Sequence, residues 1–416
     1  MTAGAQLSDA AWLKDGSVAR LLALLNRDGE EARAVGGAVR NHLMKLPVSE
    51  IDVATTAEPQ EVIRRAEVAG FKVAPTGIEH GTVTVVVDGR PFEVTTLRVD
   101  VETYGRKAKV VFGRDWTRDA ERRDFTINAL SAAPDGKVFD YVGGLADISA
   151  HKVRFIGAPE QRIAEDYLRI LRFFRFHAYY GEGAPDAAGL HACIGARAGL
   201  DMLSRERVRM ELLKLLLAPH AAPTLAVMAE CGILVAVLGG VAYLASFENT
   251  VKIEAAIGIE PDATRRLGAL GSYVMEDPER LSQRLRLSTA EVERLLRLEY
   301  WWRIKPTAGE HAVRTLLYLL GPASFTDRIL VAWSRSDAGA ADKSWHELAT
   351  LPQRWTAPRF PLKATDFVGR GVPKSPAMGA ALRTAEQAWI DADFPMDRTA
   401  IDALADRAAS AAMRSA

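Results

Sequence analysis

The chain has 416 residues and a formal net charge of zero, with 48% hydrophobic and 25% charged residues. That length exceeds one ordinary core and predicts two to four domains of about 100–200 residues each. Balanced charge excludes a protein that coats nucleic acid by bulk electrostatics. No stretch approaches the ~20 apolar residues of a membrane span, and residues 1–15 carry no basic cluster ahead of an apolar core. The two cysteines, Cys193 and Cys231, are too few for a disulfide framework. These features predict a cytoplasmic protein with no membrane partner.

In chain order, Ser17–Leu25 and Gln60–Ala69 place apolar residues at helical spacing. Thr82–Val87 is β-branched, Asp88-Gly89 supplies a hairpin turn, and Phe92–Leu97 returns as a second strand. Between Arg98 and Arg118 charge alternates with little apolar periodicity, which predicts a mobile loop. A composition boundary near Gly157 separates this mixed region from a helical remainder. Pro159–Tyr179 reads as one long helix with Pro159 in its first turn. Ser204 N-caps a helix reaching Leu217, and further helices cover Ala221–Gly232, Pro278–Leu287, Thr289–Ile304 and His311–Leu320.

A few short stretches carry the chemistry. Gly36-Gly37 bares backbone amides, and Arg40 one turn later offers a fixed cation, which together suit a polyphosphate. Glu50-Ile51-Asp52, read as strand, turns two carboxylates to one face, and Glu93 from a neighbouring strand completes an oxygen cage for magnesium. A glycine turn and a solvated acidic strand describe the same letters without chemistry. In Arg122 to Ala129, Arg123 and Asp124 suit a phosphate and a ribose hydroxyl, with Asn128 fixing their geometry. Asp166 and Arg169, at i and i+3, share a helix face. They form either an intrahelical ion pair or a protein template, the carboxylate accepting from the exocyclic amine of cytosine or adenine and the guanidinium donating to the ring acceptor. Arg172 and Arg175 extend that stripe toward phosphates.

With these residues in place, the chain resembles the class II CCA-adding enzymes, tRNA nucleotidyltransferases of the polymerase-β-like superfamily that also contains bacterial poly(A) polymerases. The resemblance runs from Val35 to Leu217 through the motifs above, Asp140-Tyr141-Val142-Gly143-Gly144, and Ser204-Arg205-Glu206-Arg207 with Glu211. It implies an α+β fold: a nucleotidyltransferase head with a small mixed sheet and flanking helices, followed by an all-α neck, body and tail. Head 1–156, neck 157–217, body 218–330 and tail 331–416 are the expected divisions.

The resemblance also implies addition of C and A to the 3′ end of tRNA from CTP and ATP, with Mg2+ held by Asp52 and Glu50. Gly37 and Arg40 would bind triphosphate, Arg123 would contact the nucleotide, and Asp166 and Arg169 would select bases. Arg172 and Arg175 would assist, and Glu206 and Arg207 would buttress the neck. Glu50 departs from the family's usual aspartate, lengthening that ligand by one C–C bond, about 1.5 Å. The turn around Gly371 to Gly379 resembles a family tail that either meets RNA phosphate through Lys374 or packs the last helices. The rival functions are a poly(A) polymerase and a noncatalytic RNA-binding protein on the same fold.

Overall fold

The computed structural model describes residues 5–75, 77–104 and 107–414. The chain divides into two compact units, Met1–Leu244 with Arg280–Leu287, and Ala245–Glu279 with Ser288–Ala416.

In the first unit the helices α1 (Gly16–Leu25), α2 (Gly37–Leu43) and α3 (Pro59–Val68) are interleaved with strands β1 (Ala32–Val35), β2 (Asp52–Thr55), β3 (Lys72–Ala74), β4 (Thr82–Val87) and β5 (Arg90–Thr96). Alternation along β4 buries Val83, Val85 and Val87 on the face that α1 and α3 cover, and Phe92 and Val94 of β5 join them. Asp88 and Gly89 both take positive φ, 51° and 79°, as a two-residue hairpin turn requires. The Asp88 carboxylate accepts from Ser17 Oγ at 2.8 Å and ties the hairpin to α1.

Strands β8 (Ser131–Ala132) and β9 (Val138–Phe139) complete a mixed sheet in the order β3-β4-β5-β2-β1-β8-β9. The central strand β2 runs antiparallel to β1 and parallel to β5. Its first residue, Asp52, is therefore flanked by Val35 on one side and by Glu93, midway along β5, on the other. The mixed sheet with flanking helices agrees with the expected α+β head.

Several local expectations are corrected. Strand β2 starts at Asp52, so Glu50 lies in an extended lead-in; the period of two still holds, with Ile51 buried between exposed Glu50 and Asp52. In place of the expected loop, β6 (Arg98–Tyr104) and β7 (Lys107–Phe112) pair as an antiparallel two-stranded sheet. Residues 105 and 106 fall outside the described residues. Alternating charge has the same period as a strand, and pairing decides which structure forms.

After α4 (Trp116–Glu121) and α5 (Gly144–Ser149), the single helix expected over Pro159–Tyr179 is two: α6 (Pro159–Glu165) and α7 (Leu168–Tyr180). Asp166 turns to φ −158° and ψ 106°, and its carboxylate accepts the Leu168 N–H at 3.1 Å. A short acceptor side chain competes with the helical ladder here, and the backbone breaks. Helix α7 buries Ile170, Leu171, Phe173, Phe174 and Phe176 and leaves Arg169, Arg172 and Arg175 along its other face. Phe125 from the head packs on Phe155, Phe173 and Phe176 at centroid distances of 4.9, 6.4 and 5.1 Å, seating the apolar face of α7 on the head. Helices α8 (Ala187–Gly195), α9 (Arg205–Leu216), α10 (Ala221–Glu230) and α11 (Ile233–Leu238) follow.

The second unit is helical throughout its described residues outside loops. Its core gathers Phe325, Ile329, Trp333 and Trp345, and buried Glu254 accepts from Arg265 at 2.9 Å and Arg266 at 2.8 Å. The helix expected over Thr289–Ile304 stops at Leu296, and a 3-10 turn at Trp301–Arg303 follows.

Candidate active site

Where the lead-in to β2, the N-terminus of α2 and the arginine face of α7 meet, they enclose a cleft of about 620 Å³. Among the described residues its lining includes seven arginines, at 40, 122, 123, 169, 172, 175 and 207, and four carboxylates, Glu50, Asp52, Asp124 and Asp166. Such a surplus of fixed cations suits a polyanion.

Glu50 and Asp52 reach the cleft from the sheet edge. Parallel register pairs Val53 with Val94, which sets Glu93 beside Asp52 on the same face. Partial desolvation between the cleft walls pushes the Asp52 carboxyl above its ordinary value, the charges of Glu93 and Glu50 push it further, and Arg123 opposes them only in part. Carboxylates repelling one another around an exposed face are hard oxygen donors that a divalent cation would relieve. Among the described residues no trio of His, Cys, Asp or Glu is already drawn into a closed cage. The donor set therefore fits a cation held by Glu50 and Asp52, with Glu93 as a neighbour one strand away.

Gly36 takes φ 65° and ψ −117° at the N-cap of α2, a conformation open to glycine alone. The turn sends α2 under the cleft and buries Arg40, whose guanidinium donates to Asn128 Oδ1, to Asn41 Oδ1 at 2.8 and 3.1 Å, and to the Tyr180 hydroxyl at 2.8 Å. It also lies 4.0 Å over the Tyr180 ring, and burial holds it below the usual arginine range. Arg40 thus joins α2, the Asn128 turn and α7; most of its donors are already engaged. Asn41 passes the order on by donating to Pro47 O at 2.9 Å, bracing the segment that leads to Glu50.

Asp124 is a second hub. Its Oδ1 accepts from the Phe125 N–H at 2.9 Å and Asn128 Nδ2 at 3.1 Å; its Oδ2 accepts from Arg172 at 2.8 and 2.5 Å. Burial pushes this carboxyl up, and Arg172, Asn128 and the Phe125 amide more than reverse that, leaving it below the usual carboxylate value. Arg123 projects nearer the opening, held by the Asn128 carbonyl at 3.3 Å and by buried Asp119 at 3.2 Å. Arg175 is aimed by Glu211 of α9 at 2.5 Å.

Asp166 and Arg169 both line the cleft, though the break between α6 and α7 means that they do not share one continuous helix face. Asp166 pairs with Arg207 of α9 at 2.5 Å, with side chains only 19% and 17% exposed. Arg169 pairs with Glu165 and also donates to Arg162 O at 2.7 Å. Each member of the supposed template is therefore occupied by a partner outside the pair, and neither forms the intrahelical ion pair with the other.

Gly36, Gly37, Arg40, Glu50, Asp52, Arg123, Asp124, Asn128, Asp166, Arg169, Arg172 and Arg175 all border this cleft, and Glu93 lies outside it beside Asp52. Arg122, Phe176 and Arg207 line it as well without having been assigned a contact there from sequence. Arg207 was readable only as a neck buttress, because nothing local to α9 signals that it reaches back to Asp166.

Comparison with known proteins gives a consistent kinship. Residues 32–154 match the family described as "Poly A polymerase head domain", and residues 191–244 match "Probable RNA and SrmB- binding site of polymerase A". The mouse (Mus musculus) mitochondrial CCA tRNA nucleotidyltransferase 1 is 33% identical over 91% of this chain and 87% of its own. The CCA-adding enzyme of Limosilactobacillus fermentum is 31% identical, covering 91% and 93%. The solved CCA-adding enzyme of Bacillus stearothermophilus, in complex with CTP, superposes with a TM-score of 0.76 at 27% identity, over 96% of this chain and 98% of that one. Nearly end-to-end similarity, on a fold whose cleft joins strand carboxylates to an arginine-lined helix, makes this chain a member of the CCA tRNA nucleotidyltransferase family.

Proposed function

We infer that the chain adds C, C and A in turn to the 3′ end of tRNA, from CTP and ATP. The observation that carries this reading is the single cleft in which Glu50 and Asp52 face a wall of guanidinium groups beside Asp166 and Arg169. In each cycle the primer's 3′-oxygen bonds to the α-phosphorus, and the bond from that phosphorus to the bridging oxygen breaks. Pyrophosphate leaves with the electron pair, and the hydroxyl proton passes to the carboxylate cluster.

Magnesium suits the hard oxygen donors of Glu50 and Asp52, and when bound it supplies a lowered hydroxyl pKa and neutralisation of phosphate charge. Arg123, Arg172 and Arg175 bind the polyphosphate electrostatically, while buried Arg40 keeps the floor of the cleft in position. Asp166 accepts from the exocyclic amine of cytosine or adenine and Arg169 donates to the adjoining ring acceptor, the donor–acceptor order that guanine and uracil lack. Binding a base requires Asp166 to exchange Arg207, and Arg169 to exchange Glu165, for the nucleobase edge. Activity persists with Glu50, whose extra methylene is taken up in a lead-in segment outside the strand ladder. A head 1–156, neck 157–217, body 218–330 and tail 331–416, in a cytoplasmic enzyme whose tail meets tRNA, belong to the same proposal.

The test is incubation of purified protein with tRNA lacking its 3′ end and labelled CTP or ATP, with products sized to one nucleotide. Addition of C, C and A followed by arrest is the expected outcome. Long adenosine tails would identify a poly(A) polymerase, and no pyrophosphate release would identify a noncatalytic RNA-binding protein.

A further inference from the structure

Arg169 rests on a carboxylate that has a second cation. Glu165 accepts from Arg169, and both of its oxygens also accept from Arg162 Nη1 at 2.8 Å. Arg162 touches Arg169 as well, its own carbonyl accepting from that guanidinium at 2.7 Å. The Arg162 side chain is 12% exposed and that of Glu165 29%, so the three charges form a largely enclosed row of positive, negative and positive. Neither Arg162 nor Glu165 lines the cleft; both line a separate cavity of about 700 Å³ that has no lining residue in common with it. A nucleotide in the cleft therefore meets Arg169 but neither of the residues that hold it.

The rest of the Arg162 guanidinium is committed to the head. Helix α4 ends at Glu121, and the carbonyls just beyond it lack the partners that a continuing helix would supply. Arg162 Nη2 donates to two of them, those of Arg122 and Arg123. One planar group thus fixes both the backbone that carries Arg123 into the cleft wall and the carboxylate on which Arg169 rests. Holding it there is costly: burial keeps the guanidinium below the usual arginine range, and its Nε has no partner among the described residues.

Turning Arg169 from Glu165 to a base, as base choice requires, threatens to leave a carboxylate less than a third exposed without a cation. We propose that Arg162 is the positioning residue that prevents this: it keeps Glu165 neutralised and in place while Arg169 engages the base, in register with the wall that carries Arg123. The inference rests on the base-selection reading above. A matching base then has to break only the bond between Arg169 and Glu165, and Arg169 returns to a partner that has not moved. A base that cannot recruit Arg169 leaves that bond intact and gains nothing from Arg162.

The experiment measures kcat and KM for CTP, and single-nucleotide incorporation from UTP, on tRNA lacking its 3′ end, with melting temperature read alongside, in wild type, Arg162→Gln, Glu165→Gln and the double variant. Arg162→Gln is expected to raise the KM for CTP about tenfold with kcat within about twofold, the scale of one charge-assisted hydrogen bond missing from the bound state. UTP incorporation stays within about twofold, so the preference for CTP over UTP falls about tenfold. In the Glu165→Gln background the same change leaves the KM for CTP within about twofold, because no charge remains to be stranded. Melting temperature falls in both backgrounds, since the carbonyls after α4 lose their donor either way. An active, folded Arg162→Gln with an unchanged KM for CTP would overturn the proposal, and so would an equal rise in both backgrounds, which marks a residue that only supports the fold. If Arg162→Gln does not fold, Arg162→Lys decides: with a cation still facing Glu165 its KM for CTP should stay within about threefold of wild type, and a rise of about tenfold would overturn the proposal. A wild-type chain that incorporates nothing overturns the transfer reading itself, a result distinct from an active enzyme indifferent to Arg162.

Discussion

Replacing Asp124 by asparagine separates a direct nucleotide ligand from an internal hub. All four hydrogen bonds that the carboxylate accepts come from within the protein: Phe125, Asn128, and two from Arg172. Asparagine keeps one oxygen for Phe125 and Asn128 but turns an amide, or leaves no charge, toward Arg172. Two charge-assisted bonds are lost at about 1.5–3 kcal/mol each. Arg172 is 31% exposed and Glu211 lies 3.8 Å from it, so solvent and that carboxylate recover part of the loss. The net cost is about 2–3 kcal/mol, which for a unit of this size lowers Tm by roughly 4–12 °C.

The pH dependence of this loss has a definite sign. The folded Asp124 carboxyl titrates below its ordinary value of 3.8, so its contribution is fully present above that value and disappears as pH falls through the lower, folded one. Differential scanning calorimetry of wild type and Asp124→Asn should show the full gap at pH 7 and a closing gap below about pH 4. CTP affinity should fall only as far as Arg172 is displaced, and Arg172→Gln should not add to Asp124→Asn in a double-mutant cycle. A variant that melts within about 1 °C of wild type yet loses CTP binding outright would refute the hub and restore Asp124 as a ligand.

Asp52 should behave in the opposite sense: its folded pKa is raised, so the ionised form costs stability that grows as pH rises above the ordinary 3.8 and is fully developed above the folded value. Without metal, Asp52→Asn is expected to melt no lower than wild type at pH 8; with Mg2+ at ten times its dissociation constant, wild type alone gains about 1.4 kcal/mol, read by thermal shift, and a destabilised or magnesium-responsive variant would contradict this. Gly36→Ala forces a side chain into φ 65° and should cost about 1–3 kcal/mol in urea titration; an unchanged midpoint would show that the turn is not fixed. Asp166→Ala removes the acceptor for the exocyclic amine and releases Arg207, so discrimination of CTP over UTP should drop at least about tenfold in single-nucleotide incorporation. Equal loss for all four nucleotides would contradict the template.

Local chemistry was legible from the letters. Gly36 occupies a conformation only glycine tolerates, Asp88-Gly89 makes the turn that such a pair makes, and Ile51 buried between Glu50 and Asp52 keeps the two carboxylates on one side. Each of these depends on neighbours within a few residues, so propensity and period suffice. Other features depended on partners distant in sequence. Helical periodicity runs unbroken through Asp166, yet its side chain captures the Leu168 N–H and Arg207, 41 residues on, captures its carboxylate. The charge-alternating segment after Leu97 became an antiparallel pair of strands because β6 and β7 found each other.

The sequence by itself determined which side chains carry charge, where the backbone must be glycine, and that carboxylates and arginines stand in a family's order. Tertiary structure decided which of them are engaged. Arg40, Asp124 and Arg207 look alike as charged letters, but burial and fixed distances commit the first two to holding the cleft and bring the third to Asp166. Electrostatic and hydrogen-bond energies fall off over a few ångströms, so the role of a charged residue is set by what folding brings within that reach.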